Sequence, residues 1–239
     1  EWNDANNALV RNGCSMVTLY YIRRYLTFCQ ELFRGRADQN FTLSAEVSAF
    51  LDALNLTLRR HRGMLGGKIT DAQRHRIVDD LGSAGSEYRQ RICGGFSQRK
   101  TPVSGQQLLD FFAFALDWTH HSIHTNRRPD GLYHSYNLVR LEDRKALPIR
   151  RLYEMLEGQV AVLSSGQLSA GESLTLLAAL KRGAMYRADQ HSYLLYPNRQ
   201  LPRFVERNLV PAKEIRRSAL LRKLLADANP YLIERDVAG

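Results

Sequence analysis

Val47, Phe50, Leu51, Leu54 and Leu58 stand at i, i+3, i+4, i+7 and i+11, the apolar stripe of one helix face. That spacing is the strongest constraint on the fold, because similar stripes follow one another along the chain without any run of alternating strands. Residues 15–33 read as a helix with Met16, Leu19, Tyr20, Arg23 and Leu26 on one stripe and Gly35 as its stop. Thr42 or Ser44 caps the Val47–Leu58 helix, which Arg59, Arg60, His61 and Arg62 close with positive charge. Thr70 or Asp71 opens a third helix toward Tyr88 or Cys93, weakened in its middle by Gly82 and Gly85 and ended at Gly94-Gly95. Residues 95–103 read as loop. Ser104 caps a fourth helix, running through Leu108, Phe111, Phe112, Ala115, Leu116 and Ile123, and so apolar that it belongs deep in the core.

Helix returns over about 149–163 and over 170–182, where Ser169 and Glu172 form a capping box. Pro211 fits N1 of a last helix over 212–228. The expected fold is all-α, a set of helix hairpins in a single helical domain spanning 1–239. Two long connections, 127–148 and 183–202, interrupt it. They carry Tyr133, Tyr136, Tyr186, Tyr193 and Tyr196 but little Ser or Gly, which argues for order and function. Residues 132–141 could be irregular or a short strand-like segment. A short echo, His134-Ser135-Tyr136-Asn137-Leu138 and His191-Ser192-Tyr193-Leu194-Leu195, is too brief to be a repeat.

Composition narrows the classes. A 239-residue chain with 44% hydrophobic and 24% charged residues can bury a sizeable core and is neither a disordered tail nor a rod. No stretch approaches the roughly 20 apolar residues of a membrane span. Cys14, Cys29 and Cys93 include no C-x-x-C pair, so a disulfide framework is not expected and a reducing, cytoplasmic setting is. The formal charge of +10 invites an anionic partner without choosing one. The chain opens on Glu1 rather than Met, which reads as a processed chain or a piece of a larger one.

The densest chemical pattern is Glu1-Trp2-Asn3-Asp4-Ala5-Asn6-Asn7. Two carboxylates, an indole and three amides are the parts a glycosidic bond requires: an acid for the leaving oxygen, a flat aromatic face and hydrogen bonds to hydroxyls. The same composition also suits a polar loop whose Asn and Asp side chains cap their own turn. The segment resembles the D-W-N-D-G-x-N motif of cellobiose phosphorylase-like enzymes, within the (α/α)6-barrel glycosidases and phosphorylases. Glu1 stands for the first Asp and Ala5 for the Gly. The resemblance implies that Asp4 is the general acid. It further implies that the helices are the C-terminal part of a barrel catalytic domain, completed by the rest of a larger polypeptide or by another subunit.

Further constellations follow. In Arg127–Asn137, Tyr133, His134, Tyr136 and Asn137 suit sugar contacts and Arg128 suits a phosphate or carboxylate. The alternative is a structural turn whose tyrosines pack between helices. An inverting hydrolase needs a base about 6.5–9.5 Å from the acid, and Glu157, Asp189 and Asp130 are the candidates. A phosphorylase needs none, since phosphate is the nucleophile. Each carboxylate equally suits a salt bridge or a cap. Asp117, His120, His121 and His124 share a helix face, yet H-E-x-x-H is absent and no metal is expected. Gly67-Lys68 fails as a P-loop, with Arg62 and Ile69 in place of Gly and Ser/Thr. Residues 199–223 hold eight Lys or Arg against Glu206 and Glu214.

The reading is therefore a carbohydrate-active enzyme, or a fragment of one, acting on an oligosaccharide by inversion through hydrolysis or phosphorolysis. Asp4, Glu157 and Asp189 are the catalytic candidates. Trp2, Asn3, Asn7, Arg128, Tyr133, His134, Tyr136 and Asn137 are the substrate contacts. No cofactor is expected beyond inorganic phosphate as a co-substrate. The alternative is a non-catalytic helical module whose basic C-terminal segment binds nucleic acid or an acidic protein surface.

Overall fold

The computed structural model of the chain describes residues 12–140, 145–227 and 231–235. It divides into two compact units, Glu1–Asn198 and Arg199–Gly239. The division falls among Pro197, Asn198 and Pro202, within the stretch whose sequence reads as irregular.

In the first unit the helices are α1 (Met16–Phe33), α2 (Ala45–Arg60), α3 (Asp71–Cys93), α4 (Gly105–Thr125), α5 (Leu156–Ser164) and α6 (Ala170–Arg182), with a 3₁₀ turn at Arg62–Gly66. Their starts are chemical. Ser15, Ser44, Thr70, Ser104 and Ser169 each accept a hydrogen bond from an amide of the first turn, and the last three form capping boxes with Gln73, Gln107 and Glu172. Helix α3 runs unbroken through Gly82 and Gly85.

The chain is mostly helical, but strands join the helices. Strands β1 (Gly13–Ser15), β4 (Tyr136–Val139) and β5 (Ile149–Arg151) form one antiparallel sheet in the order β1-β4-β5. Strands β2 (Asn40–Ser44) and β3 (Lys100–Ser104) form a second. A small hairpin pairs β6 (Tyr186–Arg187) with β7 (Ser192–Tyr193).

Three expectations are corrected. Residues 95–103 are not all loop, because Lys100–Ser104 pairs along its whole length with Asn40–Ser44. Pro102 stands in that strand, which a two-stranded ribbon with an open edge tolerates. The helix over 149–163 begins only at Leu156, because Ile149–Arg151 is drawn into pairing with Asn137–Val139. The last helix breaks at Ser218, whose backbone is extended and whose hydroxyl accepts from the Leu221 amide instead.

Helix α1 lies along α4 and α5. Between them sits the core, formed by Met16, Tyr20, Ile123, Tyr133, Ala161, Val162 and Leu176. Tyr20 is completely buried. Its ring meets Tyr133 edge-on at 6.5 Å, and its hydroxyl donates to the His134 carbonyl at 2.8 Å. A smaller cluster of Leu132, Leu180 and Met185 packs the second connection against α6. Among the described residues, no helix is long and apolar enough to cross a membrane.

The second unit holds α7 (Phe204–Arg207), α8 (Ala212–Arg217) and α9 (Ala219–Ala226). Arg217 pairs with Glu214 one turn away at 3.5 Å.

Candidate functional site

Ser135 organises a cleft of the first unit. It is fully buried and joins two helix starts. Its carbonyl accepts from the Met16 amide, the first donor of α1, at 2.8 Å. Its hydroxyl accepts from the Gly158 amide at 2.8 Å and donates to the Met155 carbonyl at 3.2 Å. Met155 is the N-cap of α5 and has no side-chain oxygen, so Ser135 supplies the missing cap from a distant part of the chain. Gly158 permits this approach, since a Cβ there would overlap the Ser135 hydroxyl.

The first turns of α1 and α5 thereby flank a cleft of about 590 Å³, lined among others by Ser15, Thr18, Tyr21, Tyr136, Glu157 and Leu195. Both helix ends carry partial positive charge, a setting that favours the Glu157 carboxylate in the first turn of α5. Tyr136 donates to Glu157 Oε2 at 2.9 Å. Tyr21 is about half exposed and offers a flat apolar face. Leu195 comes from the second connection, and its carbonyl accepts from the Leu156 amide at 2.7 Å. One residue of each aromatic connection, Tyr136 and Leu195, therefore lines the same cleft.

The other site candidates lie as follows. Tyr133 and His134 are buried and do not line the cleft. The Tyr133 amide donates to Gln159 Oε1 at 2.8 Å, and Gln159 Nε2 donates back to the Tyr133 carbonyl at 2.7 Å. His134 Nδ1–H donates to the Leu152 carbonyl at 3.1 Å. Burial, helped by the Arg128 and Arg151 charges, lowers the His134 pKa and keeps the ring neutral. Asn137 is buried, with Nδ2 donating to Asn126 Oδ1 at 2.9 Å.

Arg128 spends its fork on two carboxylates, Asp130 at 2.8 Å and Glu154 at 2.9 Å. Burial alone would raise the Asp130 carboxyl. The hydrogen bonds from Arg128 and the Leu132 amide, with the Arg128 charge, outweigh it and hold Asp130 below the usual aspartate range. Asp189 sits on the β6–β7 hairpin in a two-pronged pair with Arg187, at 2.9 and 2.7 Å. Hydrogen bonding to Arg187 holds it ionised. Glu1, Trp2, Asn3, Asp4 and Asn7 lie outside the described residues. The chain that carries them leads into Asn12, whose carbonyl accepts from the Val139 amide at 2.8 Å, and then into β1, paired with the strand that bears Tyr136 and Asn137.

Sequence reasoning did not pick out Tyr21, and it gave no role to Ser135 or Gln159, which stand within its candidate segments 127–137 and 154–159. Tyr21 had a signal: it falls off the stripe of Met16, Leu19, Tyr20, Arg23 and Leu26, on the side of α1 that leaves the core. Ser135 and Gln159 had none, since their partners are distant backbone groups.

Residues 201–239 match the family model described as GH149 phosphorylase insertion domain 2. The match begins two residues into the second compact unit and runs to its end. It supports a relationship to GH149-type phosphorylases over that segment. No curated protein gives a significant match to the chain.

Proposed function

We propose that the chain is a glycoside phosphorylase, or the C-terminal part of one that carries its acid-bearing segment. The observation that carries this reading is the match of residues 201–239 to a phosphorylase insertion domain. Residues 1–7, with their W-N-D-x-x-N spacing, point to the same class from the opposite end of the chain. The two segments share no residue, so they are independent supports. On this reading the helices of the first unit belong to an (α/α)6-type barrel.

Asp4 protonates the glycosidic oxygen. A phosphate oxygen attacks the anomeric carbon from the opposite face, the carbon–oxygen bond to the leaving sugar breaks, and the product is a sugar 1-phosphate of inverted configuration. Phosphate is the nucleophile, so no carboxylate base is required. Glu157 and Tyr136 then serve as hydroxyl contacts beside the aromatic face of Tyr21. Trp2, Asn3 and Asn7 complete the sugar's surroundings. Were water the nucleophile, Glu157 would take the role of base.

The test is incubation of the native protein with a panel of oligosaccharides, with and without inorganic phosphate, read by ³¹P NMR. The expected result is a sugar 1-phosphate formed only when phosphate is present, with the anomeric coupling of the inverted product. Equal release of reducing sugar with and without phosphate would overturn phosphorolysis.

A further inference from the structure

Helix α1 is apolar on two sides. Met16, Tyr20, Leu26 and Cys29 are buried, Met16 and Tyr20 in the core beside α4 and α5. On the other side Tyr21, Tyr25, Phe28 and Leu32 are between 48% and 66% exposed. They stand at i, i+4, i+7 and i+11, and at 3.6 residues per turn they fall within about 60° of one another around the helix. This is a contiguous apolar stripe over three turns, with the spacing of a coiled-coil seam. Apolar residues scattered singly over a surface are ordinary, whereas a stripe of this kind marks a surface made for contact.

Two features select the occupant. The spacing of four, three and four reads the same in both directions. A two-fold axis crossing α1 between Leu26 and Thr27 therefore sets Tyr21 against Leu32 of a second copy, and Tyr25 against its Phe28. The charges agree with that pairing. Arg24 and Glu31 are both exposed and share one flank of the stripe. In the antiparallel arrangement the same flanks of the two copies lie side by side, so Arg24 of each copy meets Glu31 of the other. Arg24 gives an Nη–H to the Ser164 hydroxyl at 3.1 Å, which leaves its other donors to a partner. Among the described residues, Glu31 makes no ion pair within its own chain. A parallel pairing forfeits both contacts, because each charged flank then faces the flank that bears Ile22.

We infer that two copies of this chain associate through the outward face of α1 as an antiparallel, two-fold pair. Tyr21 belongs both to the stripe and to the cleft, so the C-terminal end of α1 in one copy stands at the rim of the other copy's cleft. The pairing does not depend on the phosphorolysis proposed above. Its strength follows from its area. With about half of each side chain still open, the stripe offers about 400 Å² per copy. A standard interface buries about 800 Å² per partner, so the pair is weak and reversible, with dissociation in the micromolar range.

Sedimentation velocity of the 239-residue chain, from about one micromolar to about one millimolar, tests it. The expected result is a concentration-dependent equilibrium between monomer and dimer. Phe28→Glu should weaken dimerisation at least about tenfold, because it places a charge in the seam. Arg24→Glu and Glu31→Arg should each weaken it several-fold, and the double variant should restore it. All three positions are exposed, and unchanged thermal unfolding confirms that the variants fold. A chain that stays monomeric over the whole range overturns the inference. Oxidative footprinting of Tyr25 then tells whether the stripe is open to water or covered by another segment of the same polypeptide. A dimer indifferent to Phe28→Glu overturns the choice of face, and a double variant that stays weak overturns the antiparallel register.

Discussion

Ser135 is the single residue on which the shape of the cleft most depends. It satisfies the orphan amides of two helix starts at once, one through its carbonyl and one through its hydroxyl. Ser135→Ala keeps the carbonyl contact and leaves the Gly158 amide buried without a partner. The expected loss is about 1–3 kcal/mol of stability, read by denaturant unfolding. A loss near zero would mean that α5 finds another cap.

His134 gives a second residue-scale prediction. Its folded-state pKa lies below the ordinary value because the ring is buried and faces Arg128 and Arg151. As pH falls below about 6.5, the unfolded chain takes up this proton first. The contribution is therefore fully present above the ordinary histidine pKa and is lost as pH falls through the lowered one. His120, also held low by burial and by Arg23, acts in the same sense. Replacing His134 with Gln should flatten the acid limb of stability against pH. An identical slope in wild type and variant would contradict the buried neutral ring.

At the scale of elements, what was legible depended on the range of the interaction. Helices announce themselves through apolar spacing and through caps that lie three residues from their partners. Ser44, Thr70, Ser104 and Ser169 could be read for that reason. Strands β2 and β3 could not. Each is only five residues long, too short for the alternation of Phe41 and Leu43 in β2 to stand out, and each is a strand only because of a partner about sixty residues away. Strand β5 was lost to a helical reading for the same reason, its pairing with β4 overriding local propensity.

The start of α4 carries a test of such close packing. A Cβ at Gly105 would overlap the Arg36 carbonyl. The Gly105 amide also donates to the Gln39 carbonyl at 2.8 Å. Alanine is the better helix former by about 1 kcal/mol. The overlap should nevertheless win, so that Gly105→Ala lowers stability by about 1–3 kcal/mol. A stabilised variant would show that the α1–β2 turn yields.

For the whole molecule, the functional evidence sits at two ends of the chain and the geometry lies between them. Residues 1–7 supply the W-N-D-x-x-N spacing, residues 201–239 the phosphorylase match, and the cleft of Tyr21, Tyr136 and Glu157 the described surface. Part of that cleft was legible, because Tyr136 and Glu157 stand in segments rich in aromatic and carboxylate groups. Tyr133, His134 and Asn137 stand in the same segment but are buried, and composition alone does not tell which of several adjacent polar residues will turn inward.

The most direct measurement compares wild type and Asp4→Asn in phosphate-dependent cleavage of a responsive oligosaccharide, read as kcat and KM. If Asp4 is the general acid, kcat should fall by about 10²–10⁴-fold. Binding of the sugar should change little. Unchanged turnover in the Asp4→Asn protein would contradict the account at its centre.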